Sequence, residues 1–187
     1  MRVVTALGLR GHDGGRSGTI LGMRGSLEVA VDVPAPAEAT WSVLTDWDRQ
    51  HEWALLTRTR GLGPTGGHAV GEQVHAFTGV GRLGFLDSMV VTGWDPPRSC
   101  TVRKTGRVVR GTAQFCVDPL GPQASRVSYR AQVELPAGRL GAIGWPLVRA
   151  GIGGGFALSL RRLGRLAARA HAAHPIGSGA SMPLSSP

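Results

Sequence analysis

A chain of 187 residues suits one domain with a single sizeable core. Its 21 Lys and Arg outnumber its 12 Asp and Glu, yet Lys104 is the only lysine and no basic run is interleaved with aromatics. The excess therefore reads as the background of an Arg-, Gly-, Ala- and Pro-rich chain, and DNA is not an expected partner. Two cysteines, Cys100 and Cys116, are too few for a disulfide framework and fit reduced thiols in the cytoplasm.

Residues 1–25 carry an Arg near the start, but Gly, Arg, His and Asp interrupt every apolar run, so no signal peptide is expected. Met23 opens the stretch MRGSLEVAVDVP just ahead of the first strand-like run. Residues 1–25 are therefore expected to be a disordered or mis-annotated extension, with Met1 or Met23 as the start. Leu27, Val29, Val31 and Val33 then alternate with Glu28, Ala30 and Asp32, the pattern of a half-buried strand. In PAPAEATWSVLTDWDRQHEW, Pro36 suits a helix start, and Trp41, Leu44 and Trp47 recur at helical spacing, which gives one or two short helices.

GLGPTGG at 61–67 reads as a loop. EQVHAFTG, GFLDSMVVTGW, SCTVRKTG, GTAQFCVDPL and SRVSYRAQVEL follow, each strand-sized and set off by Gly or Pro, as in an antiparallel meander. In the last of them Val127, Tyr129, Ala131, Val133 and Leu135 share one face. From Leu140 to His171 the period turns helical. Trp145, Val148, Ile152, Phe156, Leu160, Leu163 and Ala167 form one stripe, and Arg161, Arg165 and Arg169 form a separate row. Arg149, Pro146 and several glycines argue against a membrane span in this stretch. Residues 173–187, rich in Pro, Gly and Ser, read as a disordered tail.

Asp87 is the anomaly of the meander. Period-2 alternation gives it the same face as Phe85, Met89 and Val91, where a carboxylate without a partner is costly. If residues 95–98 form the hairpin turn, Met89 falls opposite Lys104 and Asp87 becomes its diagonal neighbour. Such a pair has two readings: groups that orient a ligand or act as acid and base, or a structural ion pair. The next hairpin sets Phe115 beside Tyr129, as pocket lining or as core packing. His75 is a further inward candidate. His51, His171 and His174 lack a set of partner ligands, so no metal site follows. GIGGGF at 151–156 has no Lys-Ser or Lys-Thr after it and lies in the helical region; it reads as a bend or a close approach to the sheet, not a phosphate loop.

VAVDVPAPAEATWSVLTDWDRQHEW, VVTGWDPPR and the long terminal helix, in that order, resemble the START-like or SRPBCC superfamily, which includes polyketide cyclase/dehydrase-like proteins. The resemblance covers residues 26–172 and implies an α+β helix-grip fold. In that fold a curved antiparallel sheet wraps around a long C-terminal helix, with two short helices after the first strand. It also implies an interior cavity for a hydrophobic or aromatic small molecule, lipid or polyketide-like. Phe77, Phe85, Asp87, Met89, Lys104, Phe115, Tyr129, Trp145, Ile152 and Phe156 are the expected ligand-binding residues. A cyclase/dehydrase-like enzyme, the alternative, would draw its acid and base from Asp87, Lys104, His75 and Tyr129. Neither metal nor cofactor is expected. A second alternative is an interaction protein that meets ribosomal RNA or an anionic membrane through Arg161, Arg165 and Arg169. The sequence leaves monomer and homodimer open, an exposed tryptophan such as Trp94 at the sheet edge being able to support a dimer. Fold alone does not choose among these functions.

Overall fold

The computed structural model describes residues 3–10, 23–106, 110–135 and 139–173, with side-chain surroundings given for 26–133, apart from 107–109, and for 154–173. Eight antiparallel strands form one sheet in the order β1-β2-β8-β7-β6-β5-β4-β3. In chain order these are β1 (Val3–Arg10), β2 (Met23–Val33), helix α1 (Ala37–Thr45), a 3-10 turn (Gln50–Glu52) and β3 (Thr57–Leu62). Then come β4 (Gln73–Val80), β5 (Leu83–Asp95), β6 (Ser99–Thr105), β7 (Arg110–Gly121), β8 (Ala124–Leu135) and helix α2 (Arg139–Ala173). This is the α+β helix-grip arrangement.

Two strands depart from the sequence reading. The segment expected as an extension outside the domain contributes β1, which pairs with β2 from Val3–Val31 to Arg10–Arg24. The run TRTRGL, which carries no apolar alternation, forms the opposite edge strand β3. Its inward Thr59 is held by polar bonding instead: Thr59 Oγ1 donates to Gln50 Oε1 at 2.7 Å, and Gln50 Nε2 donates to the Leu44 carbonyl at 3.1 Å. One buried glutamine thereby ties α1 to β3 and satisfies groups that would otherwise be stranded.

The core lies between the concave face of the sheet and the two helices. Val29, Val31, Val33, Val74, Val91, Val102, Val117 and Val127 point inward from six strands and meet Leu44 of α1 and Leu160, Leu163 and Ala167 of α2. The α2 stripe is thus the one the helical period marks, while Arg161, Arg165 and Arg169 are exposed. Helix and sheet approach closely at Gly164, where a Cβ would stand 3.4 Å from Val33 Cγ2. Gly154 and Gly155 of the GIGGGF run face open space, so the described part of that run does not provide the close approach. α1 is pinned to the start of β8 by a buried bond between Thr40 Oγ1 and Ser125 Oγ, 2.8 Å. Among the described residues no helix is long and apolar enough to cross a membrane.

The cysteines sit on adjacent strands but on opposite faces, since Cys100 pairs with Phe115 while Cys116 pairs with Ser99. Both are free thiols, and burial pushes the Cys100 thiol up to about 12. Cys116 is also raised, first by burial and then by Asp118. A thiol-reactive dye at pH 8 will therefore label native protein at Cys116 alone, with Cys100 reacting only on unfolding. Peptide mapping of the labelled native protein checks this; label on Cys100 would show that the sheet opens there.

Candidate functional site

The concave face is built in rows across the ladder. Met89 faces Lys104, which faces Gly111; Val91 faces Val102, which faces Ala113 and then Ala131; Cys100 faces Phe115, which faces Tyr129. Directly opposed residues share a face, so all of these side chains point toward the helix side. The middle of the floor is small. Gly111, Ala113 and Ala131 present nothing longer than a methyl group between Lys104 on one side and the Phe115–Tyr129 pair on the other. At Gly111 the backbone itself demands glycine, because φ is +130° and a Cβ would sit 2.0 Å from the Gln132 carbonyl oxygen.

Lys104 and Asp87 meet on this face. Lys104 Nζ donates to Asp87 Oδ2 and lies 3.8 Å from Met89 Sδ. The two side chains are only 9% and 12% exposed, so the pair is mostly withdrawn from water. Asp87 Oδ1, also buried, has no hydrogen-bond partner among the described residues. Tyr129 packs 4.8 Å from Phe115 and 4.2 Å from Phe156, ring centre to ring centre. Burial holds its phenol above the ordinary value; Lys104 pulls the other way and Asp87 adds to the rise. Tyr129 therefore keeps its proton at neutral pH and lies within electrostatic reach of both charges.

The remaining sequence candidates fall elsewhere. His75 lies opposite Ser88 and Arg60, and Phe77 opposite Leu86 and Arg58, on the face that alternates away from buried Val74 and Ala76. Neither is brought to Asp87. Phe85 shares the face of Asp87 but lies outward along the hairpin, 37% exposed. Trp145 and Ile152 belong to the stretch of α2 whose side chains lie outside the described residues.

Trp94 corrects an expectation. It does not stand exposed at a sheet edge to join two copies, because a bulge between Val91 and Gly93 turns it to the inner face and β5 is an interior strand. There it packs 5.3 Å from Trp41, 6.5 Å from Trp47 and 5.3 Å from His68. His68, which the sequence reading passed over, bridges the carbonyls of Thr65 and Thr45 at 2.7 and 2.9 Å. Trp47 Nε1 donates to the Gly67 carbonyl at 3.2 Å. This cluster locks the 63–72 loop onto α1 and offers no open reactive group.

Two clefts lie away from the pair. One of about 260 Å³ lies between α1 and α2, where Asp46, Arg49 and Trp53 meet Leu166 and Arg169. The other, about 420 Å³, runs beside the β4–β5 turn along Leu56, Arg58, Phe77 and Val80. Neither includes Asp87, Lys104 or Tyr129. The inner face is the stronger candidate, since titratable and aromatic groups converge on it around a floor of small residues. Among the described residues no group of three or more His, Cys, Asp or Glu is placed to hold a metal.

Among solved structures the chain is similar to the Zhui aromatase/cyclase from Streptomyces sp. R1128, at 18% identity over 82% of this chain and 99% of that one, with a TM-score of 0.66. It is similar also to a conserved protein from Geobacillus kaustophilus, at 16% identity over 78% of this chain and 95% of that one, TM-score 0.60. A norcoclaurine synthase point mutant from Thalictrum flavum matches at 14% identity over 81% of this chain and 98% of that one, TM-score 0.57. At such identities the likeness speaks for the fold alone. A search of curated proteins by sequence returned no match. The family model described as polyketide cyclase / dehydrase and lipid transport matches residues 24–168, from the second residue of β2 to the last turns of α2. With that match spanning well over half of its length, the chain belongs to the polyketide cyclase / dehydrase and lipid transport family.

Proposed function

We propose that the protein binds a hydrophobic or aromatic small molecule, lipid or polyketide-like, against the concave face of the sheet beneath α2. The observation that carries this reading is Asp87 Oδ1, a buried acceptor with no partner among the described residues while its sister oxygen takes Lys104. An unsatisfied buried acceptor costs about 1–3 kcal/mol, which a ligand hydroxyl donating to it would offset. Met89 beside the pair, and Phe115, Tyr129 and Phe156 packed together across the small floor, offer apolar and aromatic surface. Family membership supports the same reading at the level of ligand class.

The test is mass spectrometry of small molecules released when purified, unlabelled protein is denatured, for the wild type and for an Asp87→Leu/Lys104→Met double variant. A discrete apolar compound present in the wild type and missing from the variant is the expected result. An empty wild type, or equal contents in both, sinks the reading.

One observation favours an enzyme as the second reading. A carboxylate, an ammonium and a protonated phenol share one face, the set needed to accept a proton from carbon and to hold an oxygen as it gains charge. If the released compound is converted on return to the protein, Tyr129→Phe should still bind it but turn it over at least about tenfold more slowly. Equal turnover by Tyr129→Phe would remove the phenol from the chemistry.

A further inference from the structure

We infer that the β4–β5 hairpin is a docking tip for an anionic lipid surface. β4 pairs with β3 as far as Thr78, Gly79 N–H still donates to the Leu56 carbonyl, and the ladder of β5 with β6 begins at Met89, so Val80–Leu86 extends beyond the neighbouring strands. Its large apolar side chains are bare: Leu83 is 84% exposed, Val80 67% and Leu86 50%. Val80 and Leu83 are opposed on one face of the hairpin, Phe77 and Leu86 on the other. A protein partner laid on the hairpin would cover one face and leave the other wet. Immersion in an apolar medium covers both.

The charges around the tip point to the same occupant. Arg82 lies in the turn itself, while Arg58 and Arg60 stand on the convex face; all three are exposed, and none is ion-paired among the described residues. At about 3.3 Å per residue, Arg58 sits about 15 Å behind the turn, with Arg60 about 20 Å behind it. If the tip enters the headgroup boundary by about 10 Å, these arginines come within about one Debye length of the surface. From Gln73 to Trp94 the only acid is Asp87, and it is turned inward onto Lys104. The cleft of about 420 Å³ beside Leu56, Phe77 and Val80 adds an apolar flank to the tip. Leu83 and Phe85 also share the strand face of Asp87 and Met89, so the candidate ligand face runs on from the docked tip.

The test is co-sedimentation of the full chain with vesicles of phosphatidylcholine alone or with added phosphatidylglycerol, at low salt and at about 0.5 M. Association with the phosphatidylglycerol vesicles is expected. It should fall about tenfold or more in high salt, in Leu83→Ser/Leu86→Ser and in Arg58→Ala/Arg60→Ala, with circular dichroism melting unchanged. No association, equal association by the leucine variant, or a size-exclusion dimer that the leucine variant dissolves would overturn the inference; the last would assign the tip to a second copy of the chain. The readout needs no bound ligand, so its failure leaves the proposed ligand site standing.

Discussion

Lys104→Met is expected to cost about 3–5 kcal/mol of folding stability, whereas Asp87→Leu/Lys104→Met together should come back to within about 1–2 kcal/mol of the wild type. The asymmetry follows from burial. With side chains 9% and 12% exposed, the ammonium and the carboxylate each remove the other's penalty for leaving water. Taking the lysine alone strands the carboxylate beside Ala76 and Met89; taking both leaves apolar groups on an apolar face. Urea unfolding of the two single variants and the double variant checks this as a double-mutant cycle. Additive losses would show that water, not Lys104, answers the charge on Asp87.

The second large effect belongs to the grip of the helix. Leu160 is wholly buried, six residues beyond Gly154 and on the same stripe as Leu163 and Ala167. Leu160→Ala is expected to lose about 3 kcal/mol, the removed methyl groups plus the cavity left beneath them. Leu158, on the same turn of α2 but 38% exposed, serves as the control. Leu158→Ala should stay within about 0.5 kcal/mol of the wild type. Similar losses at the two positions in urea unfolding would mean that α2 is held by something other than this stripe.

Much of the fold was legible because its period is carried by apolar residues. β2, β8 and the second half of α2 stand out by alternation or by helical spacing, and the turn after Pro119 pairs Phe115 with Tyr129; a turn counted at 95–98 pairs Met89 with Lys104 only because the bulge before Gly93 cancels the one-residue offset of Asp95 opposite Ser99. The misses have physical causes. β1 and β3 are edge strands: each pairs on one side only, and β3 holds its inward threonine by hydrogen bonds that leave no apolar trace. Trp94 was misjudged because one bulged residue shifts every later side chain in β5 to the other face, and period-2 counting cannot see a bulge. His75 was ambiguous because Val74, Ala76 and Phe77 are all apolar while only the first two point inward. The cluster of Trp41, Trp47, His68 and Trp94 joins three separate segments, so no local pattern announces it. For the candidate site, the sequence supplied the charged pair and the aromatic pair. The small floor between them became visible only when Gly111, Ala113 and Ala131 were aligned by the ladder.

Asp87 Oδ1, with no donor among the described residues, is the atom a ligand hydroxyl would reach. Calorimetric titration of 1-naphthol and 1-methylnaphthalene, equal in ring size and different in one hydroxyl, tests it most directly. Naphthol should bind about tenfold or more tightly to the wild type, as a hydrogen bond to a charged acceptor implies, and that preference should vanish in Asp87→Leu/Lys104→Met. Equal affinity of the wild type for both compounds, or a preference that survives in the double variant, would contradict the account.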